Sequence, residues 1–271
     1  MNQVQSDALR AAERYESFMV PAFLEPWAGD LLALARPAPG ERVLDVACGT
    51  GVIARHVAPL VGATGAVAAL DLNPAMLAVA RSLPAPAGAP VAWHQGNALE
   101  LPFPDDSFDL VLCQQGLQFM PDRRRALAEM RRVLAPGGRV TLSVWQAVER
   151  NPLSQAIGDA VGRRIEATGV NIAFSLGDER ELRDLMEGAG FGPVEILARE
   201  RTVRLPAPDR VVELLIQGAT AAVPALAQMD AAARQTLIAT ARAEVAGWIG
   251  AHTRGDTLEA PTAALIGLGW R

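Results

Sequence analysis

The sequence predicts an α/β fold carried on a mostly parallel sheet, and three observations point there. Short apolar runs alternate with helical stretches between residues 42 and 145, the rhythm of βαβ units. Those runs, RVLDVA, AVAALD and FDLVLC among them, are apolar almost throughout rather than alternating, as strands covered on both faces are. The first run passes directly into Cys48-Gly49-Thr50-Gly51 and then a helical stretch, a junction of strand, glycine turn and helix.

The elements follow in order. Two helical stretches open the chain, 7–19 and 22–36, the second with Pro26 near its start. Strands are expected at 42–47, 66–71, 91–94, 108–113 and 139–145, separated by helices at 52–60, 74–83 and 122–134. Asn73-Pro74 supplies an N-cap and a first-turn proline. Pro136-Gly137-Gly138 ends the helix before the fifth strand. Right-handed crossovers then place helices on both faces of the sheet. Beyond residue 148 the pattern loosens. Residues 152–168 and 178–189 read as helices, 194–205 as a half-exposed strand and 208–250 as alanine-rich helices. Leu258 to Trp270 reads as a last strand, weakened by Pro261 and two glycines to an edge.

Bulk properties remove several function classes. The length suits a single domain and half the residues are hydrophobic, so a sizeable core can form. Net charge is −5, with no basic stripe to grip nucleic acid. Arg123, Arg124, Arg125, Arg131 and Arg132 spread around the solvated side of one helix. Cys48 and Cys113 are far apart and have no metal-ligand spacing, so neither a metal nor a disulfide is expected and a reducing cytoplasm fits. The polar N-terminus is not a signal peptide, and no apolar run is long enough to cross a bilayer, so no membrane association is expected. His56, His94 and His252 read as structural or exposed, and no general base stands out.

The glycine turn is the informative segment. Glycines let the backbone bend sharply and approach a ligand closely. Asp71 closes the second strand twenty residues after Gly51, where a carboxylate can accept from both hydroxyls of a ribose. This fits any nucleoside-bearing cofactor, and Gly49-Thr50-Gly51-Val52-Ile53-Ala54 matches even the dinucleotide fingerprint. Two features favour S-adenosylmethionine over a nicotinamide dinucleotide. Asp45, four residues before Gly49, can help hold an ammonium group but would repel a pyrophosphate. Gln95-Gly96-Asn97-Ala98, at the end of the third strand, can read an adenine edge. The chain also has no lysine, so no Tyr-x-x-x-Lys pair of a short-chain reductase.

VLDVACGTG, ALDLNPAML, GNALELPFPDDSFDLV and MRRVLAPGGRV resemble, in order and spacing, the motifs of class I S-adenosylmethionine-dependent methyltransferases, in particular the ubiquinone/menaquinone-biosynthesis type. The resemblance covers roughly residues 40–148. It implies a Rossmann-like sheet of seven strands with the last antiparallel. It also implies a helical lid from the N-terminus and late insertions. Residues 1–36 would be lid helices, 37–148 the cofactor-binding core and 149–271 the rest of the sheet with lid insertions, all in a single methyltransferase domain. Ala47, Gly49 and Gly51 would line methionine and ribose, and Asp71 would take the ribose hydroxyls. Leu72 and Met76 would pack on adenine, although Met76 also suits plain core. Asn97 and Ala98 would meet the adenine edge, and the Gln114 carbonyl would hold the ammonium. The family usually has aspartate where Asn97 stands; the Asn carbonyl can still accept from an adenine amino group.

Methyl transfer needs the acceptor held close and dry, in line with the methyl group. Candidates for touching it are Phe18, Met19, Phe23, Gln115, Gln118, Phe119, Trp145 and Phe174, each with plain core packing as the alternative. Tyr15, the only tyrosine, can orient the methionine carboxylate or the acceptor, or simply pack. Gln115 and Tyr15 are the only candidates for a catalytic role. The expected reaction is transfer to O, C or N of a small, largely apolar molecule, leaving S-adenosylhomocysteine. An S-adenosylmethionine-binding protein that is non-catalytic or runs a non-methyl reaction, and a nicotinamide-dependent oxidoreductase, are the rivals, and monomer and homodimer stay open.

Overall fold

The structure, a computed structural model, describes residues 3–165, 171–220 and 223–271. Strands β1 (Arg42–Val46), β2 (Ala66–Asp71), β3 (Val91–Gln95), β4 (Phe108–Gln114) and β5 (Leu134–Trp145) are mutually parallel. β6 (Val194–Pro206) and β8 (Thr257–Trp270) complete an order of β3-β2-β1-β4-β5-β8-β6, and a two-residue strand, β7 (Thr253–Arg254), pairs with β8. β8 runs antiparallel to both long neighbours. The expected α/β fold with an antiparallel last strand is therefore present.

Alternation along each strand feeds two cores. Val43, Val67, Leu110 and Leu112 pack under α2 (Glu25–Ala35), α3 (Val52–Val61) and α6 (Pro152–Gly162). Leu44, Val46, Leu70 and Val111 pack under α5 (Arg123–Val133) and α7 (Glu179–Gly188). Helix starts are fixed by short polar side chains that accept from otherwise orphaned backbone N–H groups. Asn73 caps α4 (Pro74–Ser82) through Ala75 at 2.9 Å, Asp122 caps α5 through Arg125 at 2.9 Å, and Asp178 caps α7 through Glu181 at 2.8 Å.

Several expectations need correction. β8 is no edge: it lies between β5 and β6, and β6 is the edge. Pro261 is tolerated there because β5 pairs β8 only from Ala264 onward, leaving Pro261 opposite Thr202 of β6 alone. Pro136-Gly137-Gly138 does not separate helix from strand but forms an irregularity within β5, where pairing jumps from Phe108–Leu134 to Leu110–Arg139. His252 ends α10 (Ala231–His252), its ring stacked 3.9 Å from Trp248, rather than sitting in a turn. The 152–168 helix ends at Gly162, and 166–170 fall outside the described residues.

The two N-terminal helices are joined. α1 (Gln3–Arg14) continues through a π-helical segment, Tyr15–Leu24, into α2. Pro21 lacks an N–H and crowds the preceding turn, and the wider π turn accommodates it without a break. Joined, Gln5–Ala35 does reach the length and hydropathy of a membrane span, contrary to the sequence expectation, yet half of its most apolar stretch is buried within the fold. Trp27, Ala28 and Leu31 are at most 1 % exposed, and the Trp27 indole donates to Thr262 of β8 at 3.3 Å.

Candidate active site

The strand order reverses between β1 and β4, so the loops after these strands diverge and leave a crevice at their carboxyl ends. Ala47 and Gly49 both hold φ +56°, and Gly51 holds +89°, a conformation that favours glycine. Gly51 has a second reason to be glycine: a Cβ there would sit 2.7 Å from Trp93 Cζ3. Across the crevice Gly116 presses on the turn, its hypothetical Cβ 2.8 Å from Ala47 Cβ and 2.9 Å from Cys113 Sγ. Close backbone approach thus holds the two loops together.

Asp71, half-buried at the end of β2, accepts from Gly49 N at 2.8 Å and from Asn73 N at 2.8 Å. It ties the turn to the second strand, and each oxygen keeps a further lone pair for a hydroxyl donor. Burial pushes its carboxyl above the usual range, against the pull of those two N–H groups. Asp45 is 1 % exposed, and its Oδ2 accepts from Ala54 N at 3.0 Å in the first turn of α3. It sits beneath the turn, so its reach toward the crevice is through the loop it holds. Burial pushes its carboxyl up to about 8.

The π-helical segment covers the turn. The Tyr15 hydroxyl and Cε1 lie 3.7 Å from where a Gly49 Cβ would be. Burial, with Asp71 close by, raises the Tyr15 phenol well above its ordinary value. Glu16 pairs with Arg55 of α3 at 3.1 Å, and the same guanidinium donates to the Thr50 carbonyl. The helix is thereby pinned over the glycines.

On the β3 side, Leu72 is 66 % exposed, an apolar side chain on the crevice lip beside Asp71. Asn97 is exposed, its Oδ1 accepting from Leu99 N at 2.9 Å, and Ala98 packs half-buried next to it. On the β4 side, the Gln114 amide donates to the Leu24 carbonyl at 2.9 Å, tying the strand end to the lid.

A cavity of about 530 Å³ adjoins this crevice. Tyr15, which also covers the Gly49 turn, lines the cavity together with Met76 and Gln115. Met19, Phe23, Phe119, Trp145 and Phe174, named from the sequence as acceptor candidates, line it. Phe18 does not; it packs edge-on to Phe23 with centroids 6.4 Å apart. Gln118 is 1 % exposed behind the wall, bonded to Gln115. Sequence reasoning missed the far wall: Leu215, Ile216 and Val223 at α8 (Val211–Ala219) and beyond, with Ile157 and Val161 from α6. Their helical spacing was visible, but an apolar face reads the same over a core or a cavity. Among the described residues, no cluster of His, Cys, Asp and Glu is placed to hold a metal ion.

Such a crevice beneath a helical lid, at the switch point of a Rossmann-like sheet, defines an enzyme that works on a small molecule with a nucleoside-bearing cofactor. The methyltransferase domain model matches residues 43–138, and the chain is 37 % identical over 184 residues to the ubiquinone/menaquinone biosynthesis C-methyltransferase UbiE of Ralstonia nicotianae, covering 62 % of this chain and 74 % of that one. The chain belongs to the S-adenosylmethionine-dependent methyltransferases, and S-adenosylmethionine is its methyl donor. The UbiE of Psychromonas ingrahamii is 43 % identical over 118 residues, 43 % of this chain and 47 % of that protein. Among solved structures, the YcgJ protein of Bacillus subtilis shares the fold at TM-score 0.60 and 21 % identity, over 90 % of this chain and 97 % of that one. A phosphoethanolamine N-methyltransferase 2 of Haemonchus contortus, solved with phosphomonomethylethanolamine and S-adenosylhomocysteine, shares it at TM-score 0.58 and 21 % identity, over 96 % of this chain and 56 % of that one.

Proposed function

We propose that the enzyme methylates a small, largely apolar molecule held in the cavity beneath the N-terminal lid. The observation carrying this reading is the cavity itself: about 530 Å³, walled largely by aromatic and aliphatic side chains, with Tyr15 standing both on its wall and against the Gly49 turn. The relatives' name, C-methyltransferase, favours carbon as the accepting atom.

The crevice suits the donor. Asp71 offers lone pairs to vicinal hydroxyls, exposed Leu72 offers an apolar surface to one face of a purine, and Asn97 with Ala98 stands at its edge. Ala47, Gly49 and Gly51 let the backbone come close to the chain that links ribose to amino acid. Gln114 stands at the ammonium end of the crevice, and Asp45 keeps the turn in shape from below. Bound there, S-adenosylmethionine supplies an electrophilic methyl group on a positively charged sulfur. The chain's own contribution is placement and exclusion of water. Tyr15 and the π segment close the top, and the aromatic wall fixes the plane of the acceptor. No Asp, Glu, His or Arg lines the cavity among the described residues, so the acceptor brings its own nucleophilicity, as an enolic or phenolic carbon does. Cys48 and Cys113 are free thiols, which supports a reducing cytoplasm as the site of action.

Calorimetry tests the donor half: S-adenosylhomocysteine binds, and Asp71→Ala weakens it by about 1–3 kcal/mol, the loss of charged hydrogen bonds. Turnover tests the acceptor half, with reduced 1,4-naphthalenediol against phosphoethanolamine and glycine. S-adenosylhomocysteine formation with the diol supports the reading, and turnover confined to the charged amines overturns it.

A further inference from the structure

Gln115 combines features that packing alone does not explain. It holds φ +51°, strained for a side-chain-bearing residue, and its backbone N–H is fixed on the Ser143 carbonyl at 2.9 Å. It is 7 % exposed and lines the cavity. Its Oε1 accepts from Gln118 Nε2 at 3.1 Å, while its own Nε2 is buried with no partner. Gln118 is 1 % exposed, its backbone carbonyl is held by Arg123 at 3.3 Å and by the Ser175 hydroxyl at 3.3 Å, and its own Oε1 is also buried with no partner. Two other buried polar side chains on the wall, Asn151 and Thr262, are committed. Asn151 accepts from Ala263 N at 3.0 Å and donates to the Gln146 and Ala263 carbonyls, both at 3.2 Å. Thr262 accepts from Trp27 and donates to the Arg201 carbonyl at 3.0 Å. A buried amide N–H without a partner is costly, and a ligand oxygen removes that cost.

We propose that Gln115, oriented by Gln118, is the specificity-determining donor for a neutral acceptor that carries a carbonyl or hydroxyl oxygen on an otherwise apolar ring. The wall supplies the rest of the selection. A charged acceptor entering a cavity whose described lining holds no counter-ion loses its hydration uncompensated, whereas a neutral oxygen satisfies Gln115 Nε2. Gln118 is a positioning residue: it touches no acceptor and acts by engaging one end of the Gln115 amide, which leaves the other end unpaired.

This deepens the proposed function and rests on it, so the test reads donor and acceptor binding separately. Calorimetry at saturating S-adenosylhomocysteine compares 1-tetralone, whose carbonyl only accepts, with its parent hydrocarbon tetralin and with the anion 1-naphthoate. The wild-type protein binds tetralone about fivefold or more tighter than tetralin, and naphthoate weakest. Gln115→Met, close in shape, brings the tetralone-to-tetralin ratio to about one. Gln118→Met lowers the same ratio, a change that loose packing alone would not produce because it would weaken both probes together. The inference is overturned if S-adenosylhomocysteine binds but tetralone shows no preference over tetralin, if the preference survives Gln115→Met, or if naphthoate binds best. Absence of S-adenosylhomocysteine binding would instead sink the donor site itself.

Discussion

Asp45→Asn should change how stability depends on pH. The Asp45 carboxyl is buried with one backbone donor, Ala54 N at 3.0 Å, and is pushed from 3.8 up to about 8. Between those values the folded chain retains a proton that the unfolded chain has released. Stability therefore falls as pH rises from about 4 to about 8, by at most about 1.4 kcal/mol per pH unit, and levels off above. Asparagine keeps an Oδ1 acceptor for Ala54 and cannot ionise, so it removes this slope. From pH 5 to pH 7 the full slope amounts to about 2.7 kcal/mol; relaxation and water entry reduce it, so about 1–3 kcal/mol is expected. The measurement is urea unfolding of both proteins at pH 5, 6, 7 and 8. The variant should gain on the wild type steadily with rising pH. A difference that stays flat, or one that moves against the variant, would show that Asp45 is ionised within the fold and that the reasoning about its burial is wrong.

Gly51→Ala should destabilise by about 2–5 kcal/mol, from left-handed backbone strain plus overlap with Trp93. Gly137→Ala, at φ +78° with nothing within 4 Å, carries the strain alone and should cost only about 1–2 kcal/mol in the same denaturation assay. Adding Trp93→Ala to Gly51→Ala should restore part of the difference, and equal losses for the two glycines would remove the role given to Trp93. Glu129 accepts from Leu101 N at 2.9 Å and pairs with Arg132 at 2.8 Å with its side chain 6 % exposed, so Glu129→Ala should cost about 2–4 kcal/mol by thermal or urea unfolding. Arg55→Met should loosen the lid by freeing Glu16, read as faster amide exchange across Tyr15–Leu24 with exchange in β4 unchanged.

β1, β2 and β4 were legible because a strand covered on both faces is apolar almost throughout, as RVLDV, AVAALD and FDLVLC are. The glycine turn and Asp71 were legible because tight turns and ribose-type acids use few residue types. The place of β8 was not, since edge or centre depends on which strand lies alongside, and Pro261 argued locally for an edge. The join at Pro21 was hidden because proline normally stops a helix and a π turn has no sequence signature. Gln115 was singled out by position, but its pairing with Gln118 and the direction of its amide come from packing. Asp45 was visible as a carboxylate beside glycines, whereas its burial under the turn depends on where α3 begins.

The insertion of β8 between β5 and β6 bears on biosynthesis. β6 hydrogen-bonds to no other strand, so while a ribosome is still making the intervening helices, thirteen residues of extended backbone wait with both flanks open. Arg199, Glu200, Arg201 and Arg204 along that stretch are the kind of gatekeepers that discourage pairing with a neighbouring nascent chain. Removing the final fourteen-odd residues would thus strand β6 and open the flank of β5, and such a shortened product should precipitate rather than survive as a smaller enzyme.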